Sequence, residues 1–102
     1  MNRHETLTAA ADLVHGERQK DYGTPQVNFA RIAELWSPIF GGTVTPGEVA
    51  LALTQLKIAR LIHTPAHVDS WVDAAGYIAI GAELETETKR SEEHTSELQS
   101  HA

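Results

Sequence analysis

The chain of 102 residues contains no cysteine. This absence excludes disulfide frameworks, thiolate zinc sites and thiol nucleophiles together. Basic residues are also scarce, because eight lysines and arginines stand against fourteen aspartates and glutamates, giving a formal net charge of -6. Proteins that bind nucleic acid without sequence preference present a basic surface to the phosphate backbone. We therefore expect no direct nucleic-acid binding.

Long apolar runs are missing as well, since Lys57 and Arg60 interrupt the most apolar stretch. A membrane-spanning helix needs about twenty apolar residues, so we expect no membrane span and no membrane partner. Residues 1–11 lack the apolar core of a signal peptide. Together with the missing cysteine, this predicts a cytoplasmic location.

Strand signals are absent, because no alternating run of strand length and no hairpin turn occurs in the sequence. Apolar residues recur instead at intervals of three and four, which is typical of amphipathic helices. We predict an all-α fold, a small bundle of about four helices that forms a single domain in residues 1–89. The expected helices are residues 5–22, 25–36, 46–63 and 66–84.

Helix starts are indicated by two Thr-Pro pairs. Thr24-Pro25 and Thr45-Pro46 each place a threonine cap before a proline at the first helical position. Glu48 completes a capping box with Thr45, and we favour this role over metal binding. Gly16 weakens the middle of the first helix and permits a kink or a break there. Pro38 and Gly41-Gly42 are expected to terminate the second helix.

The last two predicted helices differ in pattern. The third is apolar nearly all round, which predicts a helix buried on all sides. The fourth has small residues on one side that permit close helix contact, namely Ser70, Ala74 and Gly81. Its strongest apolar face consists of Val68, Trp71, Val72, Ala75, Ala79 and Ala82.

Charged residues within these apolar helices mark a candidate site between Lys57 and Tyr77. Asp69 and Asp73 are four residues apart, so both carboxylates project from one side of the fourth helix, as two ligands of Mg²⁺ need to. Lys57 and Arg60 lie one turn apart and suit phosphate groups. The set predicts metal-assisted hydrolysis of a phosphoanhydride. The structural alternative is that the aspartates pair with the lysine and arginine across the two helices.

Other side chains are weaker candidates. Glu17 and Asp21 share one side of the first helix, where a solvated charged end is the alternative. His63 and His67 flank the proline turn, and we expect turn or surface residues there rather than metal ligands. Tyr77 can stack a nucleobase, although aromatic residues on amphipathic helices mostly belong to the core.

The C-terminal residues 90–102 are polar and lack helical periodicity, which predicts a disordered tail. The run R-S-E-E-H-T-S-E-L-Q-S within it resembles the in-frame translation of a common sequencing adapter. We interpret the tail as non-native, and we expect the natural chain to depart from this sequence near Lys89. His94 and His101 are therefore left out of any metal site.

Three segments carry a resemblance to a known family: R-Q-K-D-Y-G from Arg18, N-F-A-R-I-A-E-L-W from Asn28, and K-I-A-R with D-S-W-V-D-A-A-G-Y. Over roughly residues 7–84 the chain resembles a phage- and prophage-associated domain of unknown function. That domain is in turn similar to the MazG-like, all-α nucleoside triphosphate pyrophosphatases. The resemblance implies a helical bundle, often oligomeric, that cleaves a nucleoside triphosphate to a monophosphate and pyrophosphate with Mg²⁺.

In that superfamily, the metal ligands follow the pattern E-x-x-E and then E-x-x-D on facing helices. Here three residues, not two, separate the carboxylates of each pair. The resemblance implies metal binding by Asp69 and Asp73, with Glu17 and Asp21 as further candidates. The expected function is nucleotide binding with magnesium-dependent hydrolysis. The alternative is a non-enzymatic helical module, either an oligomeric scaffold or a phage accessory protein that binds a partner.

Overall fold

The computed structural model describes the backbone of residues 1–16 and 23–100, and the side chains of residues 1–16 and 23–87. These residues form helices and turns, with no strand among them, so the prediction of a small all-α bundle is confirmed. Across the described residues, no helix combines the length and apolarity that crossing a bilayer requires. The helices are α1 (Arg3–His15), α2 (Pro25–Phe40), α3 (Pro46–His63) and α4 (Val68–Ser100).

The capping box of α3 is present as predicted. The backbone N–H of Glu48 donates to the Thr45 hydroxyl at 3.1 Å, and the Thr45 N–H donates to the Glu48 carboxylate at 2.9 Å. Thr24 likewise accepts a hydrogen bond from the Val27 N–H at the start of α2. A second capping box, between Asn2 and Glu5, starts α1 two residues earlier than the apolar pattern indicates.

The first helix is shorter than predicted, because α1 ends at His15. Gly16 leaves the helix with φ -101° and ψ -138°, and a Cβ atom at this position would lie 2.6 Å from the Asp12 carbonyl oxygen. The break that Gly16 permits is therefore present, and the helix predicted over residues 5–22 is interrupted there. The remainder of that predicted helix, residues 17–22, lies outside the described residues.

The second helix is longer than predicted and continues through Pro38 to Phe40. Proline removes one backbone donor and crowds the preceding turn, but the Ser37 hydroxyl braces the segment by donating to the Ala33 carbonyl at 2.7 Å. Gly41 then ends the helix in the left-handed conformation at φ 73°, with its N–H donating to the Ser37 carbonyl. The helix thus extends four residues beyond the predicted end at Trp36, and it is Gly41 that terminates it, not Pro38.

The fourth helix continues past Leu84 to Ser100, where the sequence pattern predicts a disordered tail from residue 90. No glycine or proline follows Gly81 in the sequence, and glutamate, lysine and glutamine favour the helical backbone. The backbone is helical as far as Ser100, and the disordered tail stays a prediction. The interpretation of the tail as translated adapter stays a prediction.

The core lies where α2, α3 and the middle of α4 meet. Val49 is fully buried at its centre. The helices α3 and α4 approach closely because Gly81 faces Ala50. A Cβ atom added at Gly81 would lie 3.0 Å from the Ala50 Cβ. Gly76 performs the same role against Val14 of α1 at 3.1 Å. The buried core residues are Phe29, Ala33, Val49, Ala50 and Leu84.

The two most apolar helices are less buried than their sequences predict. On α3, four large apolar side chains are exposed: Leu51, Leu56, Ile58 and Ile62. On α4, Val72 is buried, whereas Val68 and Trp71 of the same predicted face are exposed. The prediction of a helix buried on all sides is wrong because α1 and α2 both pack on one side of the α3–α4 pair.

Candidate functional site

A cavity of about 260 Å³ lies between the four helices, on the side of the α3–α4 pair that α1 and α2 cover. Phe29 and Ile32 of α2 and Leu53 of α3 contribute apolar walls. Gly76 lines the cavity on α4 and also permits the close approach of α1. The helix packing therefore creates a largely apolar space that is partly open to solvent.

Three polar side chains line this apolar space: Asn28 of α2, and Asp73 and Tyr77 of α4. Within the described part of the chain, the Asn28 amide has no hydrogen-bond partner. Tyr77 also packs against the hydrophobic core, so its ring is held in place from behind. A few polar groups converging in an apolar pocket are typical of a small-molecule site.

The predicted pairing of α3 with α4 is present for one pair of charges. The Lys57 ammonium lies 2.9 Å from the Asp73 carboxylate, and the two side chains are 26% and 21% exposed. Because Asp73 also lines the cavity, the ion pair forms part of its rim. The structural alternative predicted from the sequence is therefore realised for Lys57 and Asp73.

Arg60 and Asp69 lie outside the cavity, and both are exposed. Helical spacing places Arg60 one turn after Lys57 and Asp69 one turn before Asp73, on the same sides of their helices. Both residues therefore lie between the ion pair and the turn that joins α3 to α4. Of the four charges predicted to form a site, the structure joins two and leaves two exposed nearby.

Glu17 and Asp21, the other predicted metal ligands, lie outside the described residues. The described residues before and after them, Val14 and Gly23, both line the cavity. Among residues 1–16 and 23–87, no group of three or more histidine, aspartate and glutamate side chains is placed to hold a metal ion.

The two histidines beside the turn, His63 and His67, lie at the turn and at the surface, as expected. The Nδ1 atom of His67 lies 2.7 Å from the Ser70 hydroxyl, close to the start of α4, whereas His63 is exposed at the end of α3. Asn28 is the polar cavity residue that sequence reasoning missed. Its spacing places it outside the most apolar stripe of α2, so the sequence gives no signal for it.

The family model of DUF6378, a domain of unknown function, matches residues 5–85, so the chain belongs to this family. It is 41% identical over 75 residues to the Gene 55 protein of Mycobacterium phage L5, covering 72% of this chain and 48% of that protein. It is 44% identical over 71 residues to the Gene 55 protein of Mycobacterium phage D29, covering 70% and 47% respectively. No solved structure matches the chain.

These relatives confirm the predicted resemblance to a phage-associated domain of unknown function. The chain spans about half the length of both phage proteins. The family match ends at residue 85, before the run that resembles an adapter translation. The shared region therefore contains every described residue of the cavity.

Proposed function

We propose that the domain binds a nucleoside phosphate in the cavity between its four helices. The observation that carries the proposal is the Lys57–Asp73 ion pair at the rim of an apolar pocket that also contains Asn28 and Tyr77. A nucleotide has the matching parts, because its flat base is apolar on both faces and polar at its edge, and its phosphates are anionic.

The base would occupy the apolar part of the cavity. Its volume of about 260 Å³ is slightly below the range of about 300–1,000 Å³ for whole-ligand pockets, so it suits a base better than a complete nucleotide. Tyr77 offers a ring for stacking, and the Asn28 amide offers both a donor and an acceptor to the base edge. Phosphates would then extend out of the cavity toward solvent.

The phosphates would be bound at the rim. Lys57 is a compact cation and Arg60 a planar one that binds phosphate through two parallel hydrogen bonds. Arg60 is exposed, so it can turn toward a ligand without breaking a contact in the core. Lys57 would exchange part of its interaction with Asp73 for a phosphate oxygen.

Magnesium-dependent pyrophosphohydrolysis is the activity that we propose for a bound triphosphate. Asp69 and Asp73 fit a magnesium–nucleotide complex, because Mg²⁺ is commonly held by one or two carboxylates together with phosphate oxygens and water. Glu17 and Asp21 would complete the acidic set. The ion would polarise a phosphoryl oxygen and lower the pKa of bound water, while Lys57 and Arg60 hold the triphosphate in place.

The test is calorimetric titration of the full chain with a panel of nucleoside mono-, di- and triphosphates, with and without Mg²⁺, followed by a pyrophosphate-release assay. We expect saturable binding, weakened at least about tenfold in Lys57→Met because a charge-assisted hydrogen bond is lost. Tyr77→Leu should weaken every nucleotide similarly, and Asn28→Ala should reduce discrimination between bases.

Matched controls remove the same charges elsewhere. Arg31→Met removes an exposed cation of α2, and Asp12→Asn an exposed carboxylate of α1; neither residue lines the cavity. Both controls should bind as the unaltered chain does. The proposal is wrong if no nucleotide binds at millimolar concentration, or if the controls lose as much affinity as Lys57→Met.

A non-enzymatic interaction module is the second candidate function, and the exposed apolar side chains of α3 and α4 favour it. A ligand that binds only the folded chain raises its melting temperature in proportion to ligand concentration. A melting temperature that responds to protein concentration, and not to nucleotide or Mg²⁺, would favour the interaction module over the nucleotide-binding protein.

A further inference from the structure

The side of the α3–α4 pair opposite the cavity carries a set of exposed apolar side chains, here called the open face. Each keeps between 40% and 79% of its surface exposed. Neither α1 nor α2 covers this side, because both pack on the cavity side. The open face consists of Leu51, Ile58 and Ile62 of α3 and Trp71 and Ile78 of α4.

Both helices have the same spacing of residues on the open face. On α3 the row is Leu51, Gln55, Ile58 and Ile62, and on α4 it is Trp71, Ala75, Ile78 and Ala82. Each row advances by four, three and four residues, which is the spacing of the seam between two helices in a coiled coil. All eight side chains are uncharged, and Gln55 alone is a strong hydrogen-bonding residue.

The two rows alternate along the face. The helices run antiparallel, with Ala50 beside Gly81 and Lys57 beside Asp73. Ile78 of α4 therefore lies at a height between Leu51 and Ile58 of α3. Large side chains of one helix alternate with small ones of the other, as Ala75 and Ala82 belong to the α4 row. The large side chains therefore form ridges, and Ala75 and Ala82 leave hollows on the α4 row.

Trp71 can contact an apolar partner without leaving its polar atom unpaired. Its indole N–H donates to the Pro65 carbonyl at 2.8 Å, so the polar atom of the ring is satisfied within the chain. The ring is half exposed, and its free surface is carbon. Tryptophans held in this manner are common among the residues that contribute most to binding at protein interfaces.

We propose that the open face is the interface between two copies of this chain, which meet through the same face to form a core of four helices. Five large side chains with these exposures amount to several hundred Å² per chain, which approaches the roughly 800 Å² that each partner buries in a specific dimer. A single-chain protein ordinarily exposes an apolar patch no larger than a few hundred Å². The two rows share the coiled-coil spacing, which a second copy would match on the other side of a core of four helices.

The dimer would leave the cavity open. Asp73, Gly76, Tyr77 and Ile80 line the cavity, and helical spacing places them on the opposite side of α4 from Trp71 and Ile78. Nucleotide binding and dimerisation are therefore separate properties. Loss of one by mutation does not entail loss of the other.

The test is sedimentation equilibrium of the full chain from low micromolar to several hundred micromolar concentration. We expect a mass approaching twice that of the chain, and we expect Ile62→Glu to raise the dissociation constant on the order of 100-fold or more, because a carboxylate would enter an apolar contact. The control is Ile39→Glu, which changes an equally exposed isoleucine of α2 outside the open face. Circular dichroism would verify that both variants stay helical.

A second measurement uses the unaltered face. In a Trp36→Phe background, Trp71 is the one remaining tryptophan, and its emission should move to shorter wavelength as the protein concentration rises. A mass equal to one chain at every concentration, with constant Trp71 emission, would overturn the proposal and leave the face to a different partner. Equal weakening by Ile39→Glu and Ile62→Glu would overturn it too.

Discussion

The two sides of the α3–α4 pair differ in whether other helices of the chain cover them. On one side, α1 and α2 close over the pair and enclose a cavity with a partly buried ion pair at its rim. On the other, large apolar side chains face outward with no element of the described chain above them. The covered side stabilises the single chain and forms the candidate nucleotide site. The open side provides a surface for association.

This difference shows what apolarity in a helix means. Both sides of α3 are rich in leucine and isoleucine, and only one is buried within the chain. A helix that is apolar nearly all round needs cover on all sides, but the cover need not come from its own chain. The apolar pattern predicts burial, and the packing of α1 and α2 decides which part of that burial is internal.

The largest effect is expected from the covered side. Phe29→Ala should reduce the free energy of unfolding by about 3–5 kcal/mol, because a large buried side chain leaves a cavity. Ile62→Ala on the open face should cost less than about 0.5 kcal/mol in dilute solution, as an exposed substitution does. Urea denaturation of both variants checks this, and equal losses would remove the distinction between the two sides.

A change at the seam between the helices should have an intermediate effect. Gly81→Val should cost about 1–3 kcal/mol, because a side chain there overpacks the contact with Ala50. Ala79→Val, on an exposed position of the same helix, controls for the weaker helix propensity of valine. Thermal unfolding followed by circular dichroism measures both, and a Gly81→Val variant no less stable than its control would show that the contact tolerates expansion.

Removing the cation of the rim ion pair should have a smaller effect. Lys57→Met should cost about 1 kcal/mol, because it leaves the Asp73 carboxylate partly buried without its partner. The double variant Lys57→Met with Asp73→Asn should recover part of the loss, since the unpaired charge is gone. Chemical denaturation of the four proteins in the cycle tests this, and purely additive losses would show that the pair contributes no coupling.

On the open face, removing a polar group should act in the opposite direction. Gln55→Leu should strengthen self-association several-fold, worth about 1 kcal/mol, because no amide is then desolvated at the interface. Thr8→Leu, an exposed position of α1, is the control. Sedimentation equilibrium distinguishes them, and unchanged association in Gln55→Leu would place Gln55 outside the contact.

The smallest effect is expected from the C-terminal residues. Deleting residues 90–102 should change the melting temperature by no more than about 2 °C, because the buried core ends at Leu84 and mutational effects outside the core are small. Differential scanning calorimetry of the chain with and without these residues checks this. A large loss would show that the segment belongs to the folded domain and is not an appended tail.

Local features were predictable from the sequence because their partners are close in the chain. Thr45 and Glu48 are three residues apart, and their reciprocal hydrogen bonds are present as expected. Pro38 does not end α2 as predicted, because its effect depends on Ser37 and Gly41, whose hydrogen bonds complete the last turn of the helix. Helix number and fold class follow from periodicity, whereas individual ends depend on such local compensation.

The site was predictable only in part, since it depends on how the helices pack. The alternative of an ion pair across α3 and α4 identified Lys57 and Asp73 correctly. Asn28 joins them from α2 only because α2 lies against the same side of α3, and no spacing in the sequence encodes that placement. The apolar pattern indicated surface that another chain could cover, but which residues form the open face depends on the same packing.

The central claim is that a nucleoside phosphate binds on the covered side and leaves the open face untouched. Titration of the ¹⁵N-labelled chain with a nucleoside triphosphate and Mg²⁺, followed by amide chemical shifts, tests it most directly. We predict saturable shifts at Asn28, Gly76 and Tyr77, and none at Leu51 or Ile62. Shifts concentrated on the open face, or no shifts at millimolar nucleotide, would contradict the claim.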